Sequence, residues 1–279
     1  MDAPATPRTE PGADWPVAIT PQGRFVICNP RETIQASLLA HGQFEPLASA
    51  IAVAIAPLRP GMVVDVGANL GVFAVPVARA LPGTPVLCIE PQRMVFMHLC
   101  ANLLANRLRN VRVLNMAVGP CSRAGETIAV PVFDVFTERY TGSVSLDKDV
   151  QQIRGQVAGV AEPAQWASEH DRVPLVSLDA ICAGAEVSFV KIDVEGMELQ
   201  VLRSGADLLL QQKPTLFFEA WLLPQFEAMR RELLQHVMGL GYTVLQVGAD
   251  CLAYHPQVLD GAAVLGALAP LGLALSPRG

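Results

Sequence analysis

The sequence predicts an α/β fold, a mostly parallel sheet with helices on both faces. Three observations predict it. From Val63 onward, short β-branched runs alternate with longer amphipathic segments, which is the rhythm of strand-helix units. The strand runs are apolar along almost their whole length, as strands buried on both faces are. The 279 residues are 51% hydrophobic and only 16% charged, a balance that supplies one substantial core and is far from that of a disordered chain.

In chain order, residues 1–20 begin with a stretch rich in Pro, Asp and Glu and read as a flexible tail, without the apolar segment of a secretory signal. Residues 21–60, with apolar runs over 25–28 and 33–57, form a cap on one end of the sheet. The sheet starts with a strand over 63–66 and a helix over 72–80, whose Pro76 sits near enough to the first turn to be tolerated. A strand over 85–90, a helix over 94–107 and a third strand over 111–118 follow. The rhythm then breaks. Residues 119–174 hold a strand pair within 127–136, a turn at Gly142-Ser143 and a polar run over 148–154, and they read as a lid-like insertion beside the sheet. Alternation resumes with a strand over 187–193, a helix over 197–211, a strand over 215–221 and a helix over 224–240. Two short runs, 242–247 and 251–254, flank Gly248-Ala249-Asp250 and form a closing hairpin. A single domain therefore spans 21–257, and 258–279 is a C-terminal tail.

Composition excludes several classes of partner. The net charge is −6, and no basic stripe or aromatic stacking platform accompanies it, so no nucleic acid is expected. Mean hydropathy is positive, but much of the apolar fraction is Ala. The longest apolar stretch, 258–276, carries Asp260, several glycines and Pro270, so no membrane insertion is expected. The six cysteines show no CxxC pairing and are expected to be free thiols of a cytoplasmic protein.

Val63-Val64-Asp65-Val66-Gly67-Ala68-Asn69-Leu70-Gly71 is a strand running through a glycine-bearing turn into a helix. Glycines there let the backbone approach a ligand, and the helix start offers unpaired N–H groups. Dinucleotide sites use G-x-G-x-x-G. Here Gly67 and Gly71 stand four apart, Asn69 replaces the middle glycine and Asp65 precedes the turn. An acid at that point repels a pyrophosphate and suits a cationic ligand, and S-adenosylmethionine carries both an ammonium and a sulfonium. Glu90 closes the next strand, where a carboxylate accepts both ribose hydroxyls, and Gln92 reaches the same pocket. The third strand ends Asn115-Met116-Ala117-Val118-Gly119. Ala117 leaves room there for an adenine, and Asn115 lines the same pocket or serves only the turn.

The densest charge is Lys191-Ile192-Asp193-Val194-Glu195-Gly196-Met197-Glu198. Strand alternation places Lys191, Asp193 and Glu195 on one side, at the carboxyl end of the fourth strand, where open α/β sheets bind their ligands. A plain salt-bridge cluster is the structural alternative. Such oxygen ligands also suit Mg²⁺ or Ca²⁺, but the favoured assignment has no metal. Glu198 falls in the first turn of the next helix, where it favours the dipole. Glu219 closes the fifth strand, either beside the site or in water. None of the five histidines shows metal-ligand spacing. His98 and His236 fall in helical patterns as structural residues, while His41 and His170 are candidate acids or bases.

On these residues the chain resembles the FkbM family of S-adenosylmethionine-dependent methyltransferases. The resemblance runs from Gly42-Gln43-Phe44-Glu45-Pro46 through Trp221. It rests most on the Asp65 to Gly71 turn, Ile89-Glu90-Pro91, the Asn115 to Gly119 run, Ser177-Leu178-Asp179, the Lys191 to Glu198 block and Val201-Leu202-Arg203-Ser204-Gly205. It implies a class I methyltransferase, Rossmann-like sheet whose last strand is antiparallel, and O-methylation of a hydroxyl on a small molecule, natural product, sugar or glycan. The expected roles follow. Asp65, Gly67, Asn69 and Gly71 hold the methionine part of S-adenosyl-L-methionine, Glu90 and Gln92 the ribose, and Asn115 and Ala117 the adenine side. Asp193 faces the methionine ammonium or the acceptor, and Glu195, with Lys191 nearby, orients the acceptor or takes its proton. A homodimer is compatible with the chain. Two rival readings stand beside this one: a nucleotide-cofactor oxidoreductase, disfavoured by the missing G-x-G-x-x-G, and a non-catalytic binding protein on the methyltransferase fold.

Overall fold

The computed structural model describes residues 8–9, 15–122, 125–139, 142, 145–147, 149–153, 169–273 and 275–278. Arg8–Thr9 (β1), Val17–Thr20 (β2) and Gly23–Val26 (β3) form a small antiparallel sheet. The tail expected over 1–20 is thus strand at 17–20, because β2 pairs with β3, whose Phe25 is anchored in the core. Residues 1–7 and 10–14 lie outside the described residues. Helices Thr33–His41 (α1) and Pro46–Ile55 (α2) follow. Glu32 caps the first by accepting the N–H groups of Ile34 and Gln35, and Pro46 opens the second, where its missing N–H costs nothing.

The main sheet is built from Met62–Val66 (β4), Ala74–Ala80 (α3), Val86–Ile89 (β5), Arg93–Ala105 (α4) and Val111–Leu114 (β6). Three strands then stand apart: Ala117–Val118 (β7), Thr127–Pro131 (β8) and His170–Val176 (β9). Leu178–Cys182 (α5), Val187–Ile192 (β10), Glu198–Arg203 (α6), Ala206–Gln211 (α7) and Thr215–Glu219 (β11) restore the alternation. Glu227–Gly239 (α8), Thr243–Val247 (β12), Asp250–Tyr254 (β13), Gly261–Leu268 (α9) and Ser276–Arg278 (β14) complete the chain. The strand order is β14-β12-β13-β11-β10-β4-β5-β6. From β11 to β6 the ladder is parallel, and β13 enters antiparallel beside β11.

Side-chain alternation divides the core in two. Val63, Cys88, Phe189 and Phe217 face a layer formed by α1 to α4 and α9, whereas Val64, Leu87, Val190 and Phe218 face α5 to α8. The N-terminal helices accordingly cover a face of the sheet rather than its end, since Leu38, Ile51, Ala52 and Ile55 are buried there. Only Glu32, Phe44, Glu45 and their neighbours reach the carboxyl edge. Among the described residues no single helix is long and apolar enough to cross a membrane, and the one bent apolar pair, α1 with Pro46–Leu58, turns by 80°.

Several expected elements change shape. The third strand is two, because the Asn115 amide donates to the carbonyls of Glu90 and Pro91 and turns the chain away, so that β7 pairs with β9 instead. The strand pair expected within 127–136 is one strand, β8, paired with β9. The helix expected over 197–211 breaks at Ser204-Gly205, where a side chain on Gly205 would press on Leu178. The C-terminal tail is a helix and an edge strand: Val264 and Leu268 of α9 are buried, and β14 pairs with β12. Ser143, Lys148 and residues 154–168 of the lid-like insertion lie outside the described residues.

Candidate active site

A cavity of about 460 Å³ opens at the carboxyl ends of β4, β5, β10 and β11, a size suited to a small molecule or cofactor. Its first wall is the turn after β4. The N–H groups of Gly67 and Ala68 both donate to the Ile89 carbonyl at 3.0 Å. Gly67 takes φ 79°, and a Cβ there would overlap the carbonyl oxygen of Asp193. Only glycine allows the ends of β4 and β10 to come this close.

Beside this turn stands Glu90, 4% exposed. Its Oε2 accepts the Asn69 N–H at 3.0 Å and its Oε1 the Gln92 N–H at 2.8 Å. Burial pushes the Glu90 carboxyl up to about 7, against the pull of these two bonds. Asn69, at φ 48°, turns its side chain into the same region, and its buried Oδ1 has no hydrogen-bond partner among the described residues. Gln92, Met116 and Ala117 continue the wall.

Three predicted site residues stand behind the cavity instead of lining it. Gly71 packs where a Cβ would meet Leu99 at 2.7 Å. Asn115 holds the Glu90-Pro91 backbone. Asp65, fully buried in β4, lies beneath Lys191.

Lys191 is the centre of the second wall. Its Nζ sits 3.1 Å from Asp193 Oδ2, 3.3 Å from Asp65 Oδ1 and 3.2 Å from the Gly67 carbonyl, with the Phe73 ring 5.9 Å away. Burial works against the ammonium, but the two carboxylates outweigh it and hold the Lys191 pKa above its ordinary value. Among the described residues the Asp65 carboxylate is met by Lys191 alone. Burial raises its pKa, and Lys191 opposes the rise. Lys191 and Asp193 face the cavity, as does Glu195. Strand alternation does not place Glu195, however: β10 ends at Ile192 and Glu195 lies in the following loop at φ 59°.

Further carboxylates converge from distant elements. Glu45 precedes α2, Glu219 ends β11 and Asp250 opens β13, and all three line the cavity. Burial, with Asp193, Glu195 and Glu198 adding to it, pushes Glu219 up to about 9. Burial, then Asp193 and Glu45, pushes Asp250 up to about 7. Glu45 is raised by burial and by Asp193, with Lys191 opposing. The site favours cations and hydrogen-bond donors, and carboxyls in this range exchange protons near neutral pH. Among the described residues no group of three His, Cys, Asp or Glu side chains has metal-ligand geometry. His41 and His170 do not line the cavity, and His98 is structural, its Nε2 lying 2.7 Å from the Val26 carbonyl oxygen.

Sequence reasoning missed Glu45, Asp250 and Met116 as lining residues. Glu45 lies within the Gly42 to Pro46 run that carries the resemblance, so a signal existed. Asp250 reads only as a turn residue.

Fold and site together define a class I methyltransferase-like α/β protein: a seven-strand core, β6-β5-β4-β10-β11-β13-β12, with its ligand cavity where the strand order reverses around β4. The family model described as the methyltransferase FkbM domain matches residues 65–243, more than half of the chain, and the chain belongs to the FkbM methyltransferase family. Among solved structures it is similar to the methyltransferase FkbM from Methylobacillus flagellatus KT, at 19% identity and a TM-score of 0.46, covering 70% of this chain and 44% of that one. The chain thus spans less than half the length of that protein. It is also similar to precorrin-6y C5,15-methyltransferase from Geobacter metallireducens GS-15, at 9% identity and a TM-score of 0.41, covering 75% and 86% of the two chains. Cofactor-bound Rv0187 from MTB is similar at 15% identity and a TM-score of 0.44, over 76% and 80%. Among curated proteins nothing matches the chain.

Proposed function

We propose that this protein is a cytoplasmic S-adenosylmethionine-dependent methyltransferase that methylates a hydroxyl on a small molecule, natural product or sugar. The observation that carries the reading is Glu90. Both of its oxygens are oriented by backbone N–H groups at the wall of a cavity that holds a Lys191-Asp193 pair on another side. The donor set fits the cofactor: a fixed carboxylate suits two vicinal ribose hydroxyls, the Oδ1 of Asn69, without a partner among the described residues, accepts a further donor, and Asp193 suits an ammonium. Ala117 and Met116 offer an apolar wall for the base. Gly71 and Asn115 stand behind the first wall, and Asp65 stands behind Lys191 in the second.

When bound, S-adenosylmethionine supplies an electrophilic methyl group. The chain must align the acceptor oxygen and remove its proton. Glu195 is assigned as the base that takes that proton. Lys191, locked by three oxygen partners, orients Asp193 and does not exchange protons. The acidic lining disfavours a phosphate backbone, which supports a small molecule or glycan over nucleic acid.

Calorimetry with S-adenosylhomocysteine and with NAD tests the cofactor, and binding of NAD alone would overturn the reading. Mass spectrometry of metabolite mixtures for a product heavier by about 14 Da, one methyl in place of one hydrogen, tests the reaction. Glu195→Gln is expected to keep S-adenosylhomocysteine binding and lose turnover. Full turnover in that variant would remove Glu195 as the base.

A further inference from the structure

We propose that Glu198 is a positioning residue, whose buried carboxylate ties down the loop between β10 and α6 and so holds Glu195 at the cavity. The proposal rests on the reading above that Glu195 faces the acceptor. After Ile192 the chain leaves the strand, and Glu195 takes the left-handed conformation at φ 59°, followed by Gly196 at φ 96°. For Glu195 that conformation is disfavoured, so surrounding contacts must impose it.

Glu198 supplies those contacts. Its Oε1 accepts the Val194 N–H at 3.1 Å and the Gly196 N–H at 3.2 Å, bracketing Glu195 from both sides. A buried N–H left without its acceptor is costly, so one oxygen that meets two of them holds the loop firmly. Gly196 is pressed against Trp221, whose ring a Cβ would meet at 3.0 Å, which closes the loop from the other side. Glu198 is buried and does not line the cavity. Its two hydrogen bonds bear on the backbone that carries Glu195. The loop start is anchored separately, by the Asp193 N–H on the Val66 carbonyl at 3.0 Å. Loss of Glu198 therefore loosens the loop from Val194 onward while leaving Asp193 in place.

Amide hydrogen exchange on the full chain, read residue by residue, tests this without an acceptor. In Glu198→Ala the Val194 and Gly196 amides should exchange about ten-fold faster, the upper end of what one hydrogen bond contributes, while the β10 amides stay protected. Glu198→Gln, which keeps an acceptor oxygen, should retain the protection. S-adenosylhomocysteine should bind both variants as it binds the parent. With an acceptor found by the mass search, Glu198→Ala should lower kcat with KM for S-adenosylmethionine unchanged, and Glu198→Gln should restore it. If Glu198→Ala does not fold, Glu198→Asp, too short to reach both N–H groups, takes its place. Unchanged exchange at Val194 and Gly196 would overturn the proposal, as would loss of protection through β10 together with loss of S-adenosylhomocysteine binding. A parent protein that transfers no methyl group would overturn the methyltransferase reading and leave the exchange result standing.

Discussion

Lys191 and Asp65 meet at 3.3 Å on neighbouring parallel strands, paired in register in the middle of the sheet. Asp65 is fully buried, and among the described residues its carboxylate has no partner but Lys191. A buried charge stripped of its partner is among the most destabilising changes a fold can suffer. Lys191→Met is expected to lower stability by about 3–5 kcal/mol, measured by urea denaturation. The double variant Asp65→Asn with Lys191→Met should regain a substantial part of the loss, because it removes the orphaned charge. A double variant no more stable than the single would show that Lys191 acts chiefly through Asp193.

Glu90 makes a different kind of claim, about ligand rather than fold. In Glu90→Gln one of the two backbone N–H groups, from Asn69 or Gln92, faces an amide N–H instead of an oxygen. The side chain also loses its capacity to accept two hydroxyls. S-adenosylhomocysteine affinity should fall roughly ten- to hundred-fold, the range for hydrogen bonds to a charged group, as read by calorimetry. Undiminished affinity would show that the nucleoside lies elsewhere in the cavity.

What the sequence discloses about this site depends on whether a residue acts locally. The turn at Gly67 and the acid at Glu90 are legible because a strand end, a glycine and a following helix form one contiguous pattern, and the structure joins them through Asn69. Gly71 and Asn115 read identically to cavity residues, since spacing alone does not distinguish a side chain facing a ligand from one packed behind the wall. Asp250 is invisible to local pattern, and Glu45 is signalled only by the Gly42 to Pro46 run that carries the resemblance. Only the packing of α2 and the β12–β13 turn brings them to the same cavity. The split of the third strand is hidden because 111–118 is apolar apart from Arg112 and Asn115 and reads as one run, and the break comes from the Asn115 amide reaching a distant backbone.

The buried carboxyls also set a pH dependence. Glu90, Glu198 and Asp250 are each pushed up to about 7, and Glu219 to about 9, with burial the largest cause in every case. Between the ordinary carboxylate range and these raised values, the folded state binds more protons than the unfolded chain. Stability from these groups is therefore fully present below about pH 4 and is lost as pH rises through about 7 and then 9. The ligand-free protein should melt at a higher temperature at pH 5.5 than at pH 8.5, by scanning calorimetry, and Glu219→Gln should flatten the upper part of that slope. A melting temperature that climbs across the interval would contradict the burial assigned to these groups.

Not every motif that carries the family resemblance belongs to the site, and Ser177-Leu178-Asp179 shows why. Ser177 caps α5 by accepting the Ala180 N–H, and the Leu178 N–H donates to Ser204 Oγ at 3.1 Å. The Asp179 carboxylate accepts the N–H groups of Leu208 at 2.8 Å and Asp207 at 3.2 Å, capping α7 from another helix. Ser204-Gly205 breaks the helix where Leu178 packs, so the two motifs dock α5 onto the α6–α7 corner. None of these side chains lines the cavity. Asp179→Ala should cost about 1–2 kcal/mol, as loss of a helix cap does, while S-adenosylhomocysteine binding measured below the melting range stays at the parent value. If affinity falls in step with stability, the docking of α5 is transmitted through β10 to Asp193, and the motif serves the site as well as the scaffold.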